Sequence, residues 1–170
     1  MWETKINPSK VFELRCKNTT YFGIGSVQKI KDILEVLKNK GIDNVIFITG
    51  KGSYKASGAW DVVKPILDEL DLKYSLYDRV GPNPTVDMID EATKIGRESG
   101  AKAVVGIGGG SPIDTAKSVA VLLKYTDKNA RELYEQKFIP EEAVPIIAIN
   151  LTHGTGTEVD RFAVATIPEK

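Results

Sequence analysis

Three consecutive glycines, Gly108–Gly110, separate an apolar run that ends at Ile107 from a segment that opens with Ser111 and Pro112. Glycines are costly to order on folding, so three in a row need a reason. They let a ligand touch the backbone, and free N–H groups at the start of a helix bind anions. The pattern predicts a phosphate or pyrophosphate site. The alternative is a tight turn with nothing bound.

The residues after the glycines add capping and charge. Ser111 stands at the expected N-cap, Pro112 at the first helical position and Asp114 three residues after the cap, which is a capping-box arrangement. Lys117, one turn further, can add positive charge, although Asp114 can act only as a cap and Lys117 only as a solvated lysine. The spacing matches neither G-x-G-x-x-G nor G-x-x-x-x-G-K-[ST].

A second glycine loop, "GKGS" at residues 50–53, follows another apolar run. In dinucleotide-binding folds an acidic residue near a strand end often binds the adenosine ribose. Here Gly50 stands at the strand end, and the loop offers backbone amides, the Ser53 hydroxyl and the ammonium groups of Lys51 and Lys55 without a carboxylate. This composition suits an additional 2′-phosphate. A polar loop with solvated lysines is the alternative.

A third loop, "THGTGT" at residues 152–157, combines three threonine hydroxyls with two glycines. It is suited to contact a ligand, although a cluster of Ser/Thr turns has the same composition. His153 is the only histidine and Cys16 the only cysteine. One histidine completes neither a Ser-His-Asp triad nor a metal site. We therefore assign no catalytic and no metal-binding residue in this chain.

Composition limits the partners and the location. Lysine and arginine together number 23, as do aspartate and glutamate, so the balance argues against a nucleic-acid or anionic-membrane surface. No signal peptide or membrane-length apolar run is visible. A single cysteine, Cys16, interpreted as a small structural hydrophobe, fits a reducing compartment. The sequence therefore predicts a cytoplasmic protein with no nucleic-acid or membrane partner.

The loops lie between helical and strand patterns that alternate along the chain. We expect strands at 10–16, 44–50, 73–77, 103–107 and 145–149, and helices at 26–40 with Ser26 as cap, 60–70, 85–99 with Thr85 as cap and 112–124. The alternation of Glu158 and Asp160 indicates a further strand. This order predicts an α/β fold with a parallel sheet between helices, and ligands bind beyond the carboxyl ends of such strands.

Two stretches resemble a known family. The stretches are "GPNPTVDMIDEATKIGRESGAKAVVGIGGGSPIDTAKSVA" (81–120) and "PIIAINLTHGTGTEVDRFAV" (145–164). In residue identity, order and spacing, they are similar to motifs of the iron-containing (group III) alcohol dehydrogenases. The resemblance implies a Rossmann-like amino-terminal domain of the dehydroquinate synthase-like type that binds NAD(P). It also implies a helical carboxyl-terminal domain that holds iron or another divalent metal through one aspartate and three histidines. These ligands would follow residue 164 and have no counterpart, so 1–170 is expected to be the NAD(P)-binding domain alone.

The resemblance assigns the cofactor residues one by one. It places the pyrophosphate on Gly109, Gly110 and Ser111 and the nicotinamide half near Asp114 and Lys117. The "PNP" loop would line the cleft. Leu151 and His153 replace a threonine and a small residue of the family motif, which weakens one contact. Members that prefer NAD usually carry aspartate at the Gly50 position, so the resemblance implies NADP here, with NAD the less favoured cofactor. The expected set is Gly50, Gly52, Ser53, Asn83, Gly109, Gly110, Ser111, Asp114, Lys117, Thr152 and Thr155.

The sequence thus predicts the NADP(H)-binding part of an enzyme that interconverts small alcohols and aldehydes or ketones, inactive as this chain alone. Another enzyme on the same scaffold, a glycerol dehydrogenase or a dehydroquinate synthase, is the nearest alternative. A stand-alone nucleotide-binding module and a pure folding or assembly domain are the others. A homo-oligomer remains possible, because removing a partner domain would expose an apolar face.

Overall fold

The computed structural model describes residues 11–15 and 18–169. The elements follow in the order β1 (Phe12–Arg15), β2 (Thr19–Phe22), a 3-10 turn (Ser26–Lys29), α1 (Ile30–Asn39), β3 (Asn44–Thr49), α2 (Ser53–Ala56), α3 (Ala59–Glu69), β4 (Lys73–Tyr77), α4 (Val86–Ser99), β5 (Ala103–Gly108), α5 (Gly110–Leu122), α6 (Ala130–Tyr134) and β6 (Ile146–Asn150). From α1 onward each strand is separated from the next by one or two helices; the alternation was predicted, but the short helices α2 and α6 were not.

The main sheet has four parallel strands in the order β4-β3-β5-β6. From β3 the chain moves outward to β4 and then crosses back to β5 on the other side of β3. The order therefore reverses between β3 and β5, and their carboxyl ends border the crevice in which open α/β sheets bind ligands. The parallel α/β architecture predicted from the sequence is confirmed.

Both faces of the sheet are covered because the central strands are apolar on both sides. In β3, Val45 and Phe47 belong to a core that α1 and α3 cover, whereas Ile46 and Ile48 belong to a core that α4 and α5 cover. All four side chains are fully buried. This two-sided packing holds the carboxyl ends of the strands, and the loops that follow them, in fixed positions.

An antiparallel hairpin of β1 and β2 precedes the parallel sheet. The predicted first strand is confirmed at Phe12–Arg15, whereas β2 was not predicted. The two ends of the predicted strand, Lys10 and Cys16, lie outside the described residues. The interpretation of Cys16 as a structural hydrophobe therefore stays a prediction. None of the helices formed by the described residues has both the length and the apolar character needed to span a bilayer.

Two predicted helix starts are wrong. Gly25, in a left-handed conformation at φ 78°, leads into the 3-10 turn at Ser26, and α1 begins only at Ile30. The Ser26 side chain caps neither element, because the tighter turn begins at the glycine instead. The helix expected from Pro112 begins two residues earlier, at Gly110.

The strand expected around Glu158 and Asp160 is also wrong. Within the described part of the chain, residues 151–169 form no strand, and their one ladder contact is an isolated bridge between Thr85 and Thr166. This segment lies across α5 and is hydrogen-bonded to side chains of that helix. It does not extend the sheet.

Candidate functional site

The glycine run makes an abrupt connection between β5 and α5. Gly108 has φ 154°, and a Cβ there would lie 2.6 Å from Cγ of Pro112. Gly109 is extended and is the N-cap, so α5 begins at Gly110 without a side-chain cap. Ser111 is therefore inside the first turn and is not the N-cap that the sequence predicted. The first-turn N–H groups have no partner within the helix and can bind an anion.

The threonine loop packs directly on these glycines, because β6 lies beside β5. The N–H of Leu151 donates to the carbonyl of Gly108 at 2.8 Å. A Cβ on Gly109 would lie 2.5 Å from Oγ1 of Thr152, and a Cβ on Gly110 would lie 3.1 Å from Cγ2 of Thr155. The glycines and the threonine hydroxyls thus form one close-fitting cradle in which a side chain on either glycine would displace its neighbour.

A cavity of about 400 Å³ opens beside this cradle. It is lined by the "PNP" loop, the first turns of α5, the threonine loop and the residues that follow that loop. Its lining residues are Asn83, Pro84, Gly110, Ser111, Asp114, Thr155, Thr157, Asp160, Phe162, Val164, Ala165 and Thr166. Five of the eleven residues predicted from the sequence are among them, and the others surround the cavity or lie at the neighbouring strand end.

The Gly50 loop lies at the end of β3, next to the glycine run. Thr49 pairs with Ile107 across the two strands, so Gly50 and Gly108 leave the sheet side by side. A Cβ on Gly50 would lie 3.3 Å from the carbonyl oxygen of Val80. The loop with Gly52 and Ser53 does not line the cavity, but it borders the same crevice between β3 and β5.

Asp114 and Lys117 both bind residues 157–164, which we call the strap. The carboxylate of Asp114 accepts a short hydrogen bond from Oγ1 of Thr157 and a 3.1 Å bond from the N–H of Val164. The ammonium of Lys117 donates to Thr157 Oγ1 at 2.7 Å, to Asp160 Oδ1 at 2.9 Å and to the carbonyl of Phe162 at 2.7 Å. Asp114 therefore does not form the predicted capping box.

The ammonium of Lys117 lies near two carboxylates, those of Asp114 and Asp160. The side chains of Asp114 and Lys117 are 13% and 16% exposed, and that of Asp160 is 39% exposed. The hydrogen bond from Lys117 is the main cause of the lowered pKa of the Asp160 carboxyl, to which the N–H of Phe162 also contributes. The positive charge of Lys117 is thus directed at the strap and not into the cavity.

Several cavity residues were missed from the sequence: Thr157, Asp160, Phe162 and Val164. The hydroxyl of Thr157 was visible in the loop pattern, but nothing in the spacing indicated that it joins Asp114 to Lys117. Among the described residues, no three His, Cys, Asp or Glu side chains are grouped so that they could hold a metal ion. The residues described here therefore do not fit an iron site.

The glycine and threonine cradle suits an anionic ligand better than a metal. Its backbone amides are uncapped, and Cβ atoms on Gly109 and Gly110 would crowd the side chains of Thr152 and Thr155. Polar atoms are also left over at the strand ends: within residues 11–15 and 18–169, Oγ1 of Thr49 and both amide atoms of Asn150 are buried without a hydrogen-bond partner. These features define the class of the protein as an α/β fold with a parallel sheet, and its candidate site lies at the carboxyl edge of that sheet.

Comparison with known proteins identifies the family. The model of the iron-containing alcohol dehydrogenases matches residues 17–170. The chain therefore belongs to the iron-containing alcohol dehydrogenase family, as the resemblance implied. Dehydrogenases of this family use a nicotinamide dinucleotide and iron.

The chain is 89% identical to the long-chain primary alcohol dehydrogenase AdhA of Thermoanaerobacter ethanolicus over all of its 170 residues, which are 43% of that protein. It is 38% identical to an iron-containing alcohol dehydrogenase of Thermotoga maritima, with a TM-score of 0.68 over 79% of this chain and 39% of the other. It is 34% identical to the NADH-dependent butanol dehydrogenase A of T. maritima, with a TM-score of 0.72 over 79% of this chain and 33% of the other. The chain thus spans less than half the length of these relatives.

Proposed function

We propose that this chain is the NADP(H)-binding α/β domain of an iron-dependent alcohol dehydrogenase that interconverts primary alcohols and aldehydes. One observation carries the proposal: the uncapped start of α5 adjoins the threonine loop in a cradle where Cβ atoms on Gly109 and Gly110 would crowd Thr152 and Thr155. The identity to AdhA, a long-chain primary alcohol dehydrogenase, supports the substrate class. A cytoplasmic location stays a prediction from the composition.

In this proposal the diphosphate of the dinucleotide binds the N–H groups of Gly110 and Ser111, since an anion there interacts favourably with the helix dipole. Thr152 and Thr155 border the same groups and supply hydroxyl donors. The nicotinamide half extends into the cavity beside Asp114 and Asn83. The cofactor supplies the hydride chemistry, while the chain binds and orients it.

The preference for NADP is argued from the Gly50 loop. No carboxylate stands between Gly50 and Lys55, and two lysines and Ser53 can offer donors to a 2′-phosphate. A relative with 34% identity is named as NADH-dependent, so both cofactors occur among proteins similar to this one. The preference therefore rests on this loop and needs a direct measurement.

No metal-dependent step is assigned to this chain. The resemblance assigns iron to one aspartate and three histidines of a helical domain, and we propose that the iron site is completed there and not by residues 1–170. On this proposal the chain by itself binds cofactor and does not turn over alcohol.

Calorimetric titration of the chain with NADPH, NADH and ATP tests the proposal. We expect NADPH to bind more tightly than NADH, and both more tightly than ATP. Equal affinities for NADPH and NADH would remove the argument for NADP while leaving the dinucleotide site. Tighter binding of ATP would favour a general nucleotide-binding module, and binding of none would favour a folding or assembly role.

A further inference from the structure

Lys117 is the most densely bonded side chain beside the cavity. Its ammonium has three N–H donors, and three acceptors lie within 2.9 Å of Nζ: Thr157 Oγ1, Asp160 Oδ1 and the carbonyl oxygen of Phe162. All three acceptors belong to the strap, residues 157–164. The side chain is 16% exposed, so solvent screens these contacts less than it would at the open surface.

The strap in turn forms one wall of the cavity. Thr157, Asp160, Phe162 and Val164 all line it, as does the "PNP" loop, whereas Lys117 itself does not. The strap has no strand or helix of its own to hold it in place. Asp114 and Lys117 of α5 hold it through hydrogen bonds at four of its residues. Nδ2 of Asn18 also donates to the carbonyl of Val159 at 3.1 Å, and Thr166, just beyond the strap, pairs with Thr85.

Asp114 makes the second attachment, one helical turn before Lys117. Its two carboxylate oxygens accept from Thr157 Oγ1 and from the N–H of Val164, at opposite ends of the strap. Thr157 is 4% exposed and joins the two attachments, because its hydroxyl donates to Asp114 and accepts from Lys117. Asp114 and Lys117 thus hold both ends of the strap against the helix whose first turn forms the cradle.

We propose that Lys117 is a positioning residue: its ammonium fixes the strap as a wall of the cavity and affects dinucleotide affinity through that wall, without contacting the cofactor. This inference rests on the proposed function for its effect on affinity. It replaces the sequence-based expectation that Lys117 adds positive charge to the cofactor directly. A lysine that contacts a phosphate would keep donors free toward the cavity, whereas here three acceptors of the strap use them.

Trypsin gives a readout of the strap that does not depend on any ligand. Arg161 is exposed in the middle of the strap and provides a cleavage site. Proteolysis of a locally opened segment tracks the population of the open form. We expect Lys117→Met to increase the rate of cleavage after Arg161, followed as the 1–161 fragment by mass spectrometry, at least about fivefold. Lys117→Arg, which keeps the charge and donors, should restore much of the protection.

Lys124→Met is the matched control. Lys124 lies just beyond α5 and pairs with Glu142 at 3.2 Å, away from the strap. It should leave both cleavage after Arg161 and dinucleotide affinity unchanged. Thermal unfolding of each variant identifies a global loss of structure, and if Lys117→Met does not fold, Asp160→Asn carries the cleavage test by removing the charge that pairs with Lys117.

Affinity for NADPH then separates positioning from direct contact. If Lys117 is a positioning residue, Lys117→Met weakens NADPH binding about tenfold. Adding Asp160→Asn to Lys117→Met then causes no further loss of affinity, because both substitutions release the same strap. Unchanged cleavage in Lys117→Met overturns the proposal. So does faster cleavage with unaltered affinity, or an affinity loss that is additive with Asp160→Asn.

The two proposals fail in different ways. A wild-type chain that binds neither NADPH nor NADH overturns the proposed function, and with it the effect of Lys117 on affinity. The cleavage rates would still decide whether Lys117 anchors the strap. Dinucleotide binding with unchanged cleavage in Lys117→Met would overturn the anchoring alone.

Discussion

Gly109 and Thr152 lie so close that a Cβ on the glycine would stand 2.5 Å from the threonine Oγ1. The contact joins the start of α5 to the loop after β6, two segments separated by about forty residues along the chain. In the folded chain the Thr152 hydroxyl lies beside the position that a Cβ on residue 109 would take, so a larger residue there requires the threonine side chain to move.

Gly109→Ala should therefore damage the cradle. The methyl group would lie 2.5 Å from Oγ1 of Thr152, so the exposed threonine side chain must rotate away and its hydroxyl leaves the cradle. We expect dinucleotide affinity to fall about tenfold. Calorimetry with NADPH measures the loss. Gly81→Ala is the control, because a Cβ there would lie an ordinary 3.6 Å from Cε of Met88. Unaltered affinity in Gly109→Ala would contradict the assignment of the diphosphate to this cradle.

Gly50→Asp should remove the preference for NADPH. A carboxylate beside a 2′-phosphate brings like charges together, whereas it can accept hydrogen bonds from an unphosphorylated ribose. We expect NADPH affinity to fall at least about tenfold, with NADH affinity unchanged or improved. Both constants are measured by titration of wild type and variant.

Gly50→Asn is the control for this substitution. It places the same Cβ 3.3 Å from the Val80 carbonyl but carries no charge. If Asn reduces NADPH affinity as much as Asp does, steric displacement of Val80 and not electrostatics is responsible, and the argument for NADP loses its basis.

Asp160→Asn should change the pH dependence of stability. Because the hydrogen bond from Lys117 lowers the pKa of Asp160 in the folded chain, the ionised carboxylate stabilises that chain. The stabilisation is fully present above the ordinary aspartate pKa of about 3.9. It is lost as the pH falls through the lower folded-state value. Urea unfolding of wild type and variant should therefore show a difference in stability at pH 7 that closes as the pH falls below the ordinary aspartate pKa. A difference in stability between wild type and Asp160→Asn that persists in acid would contradict the stabilising role of the ionised carboxylate.

The chain alone should not oxidise alcohols. With NADP⁺, Fe²⁺ and a primary alcohol, no absorbance of reduced cofactor should develop, since the described residues offer no group that could hold the metal. AdhA from T. ethanolicus, of which the chain spans 43%, is the positive control under the same conditions. Turnover by the purified 170-residue chain would refute the prediction.

Local patterns sufficed to predict most of the fold. The β-branched run at 44–49 and the apolar run at 103–107 are strands, and Thr85 caps its helix through a hydrogen bond from the N–H of Met88. The start of α5 was misplaced because the capping rules favour Ser111, whereas the glycines allow the chain to turn two residues earlier. The capping box that the structure does contain, Asn129 with Glu132 at α6, was not predicted.

Sequence alone determined that three glycine-bearing loops follow apolar strands, because helix and strand periodicities, caps and glycines are properties of neighbouring residues. The order β4-β3-β5-β6, the contact of Gly109 with Thr152 and the hold of Lys117 on the strap were decided only by tertiary structure. The physical reason is that these contacts join residues about forty positions apart, and no local pattern specifies which partner an ammonium or a bare backbone will meet after the chain has folded.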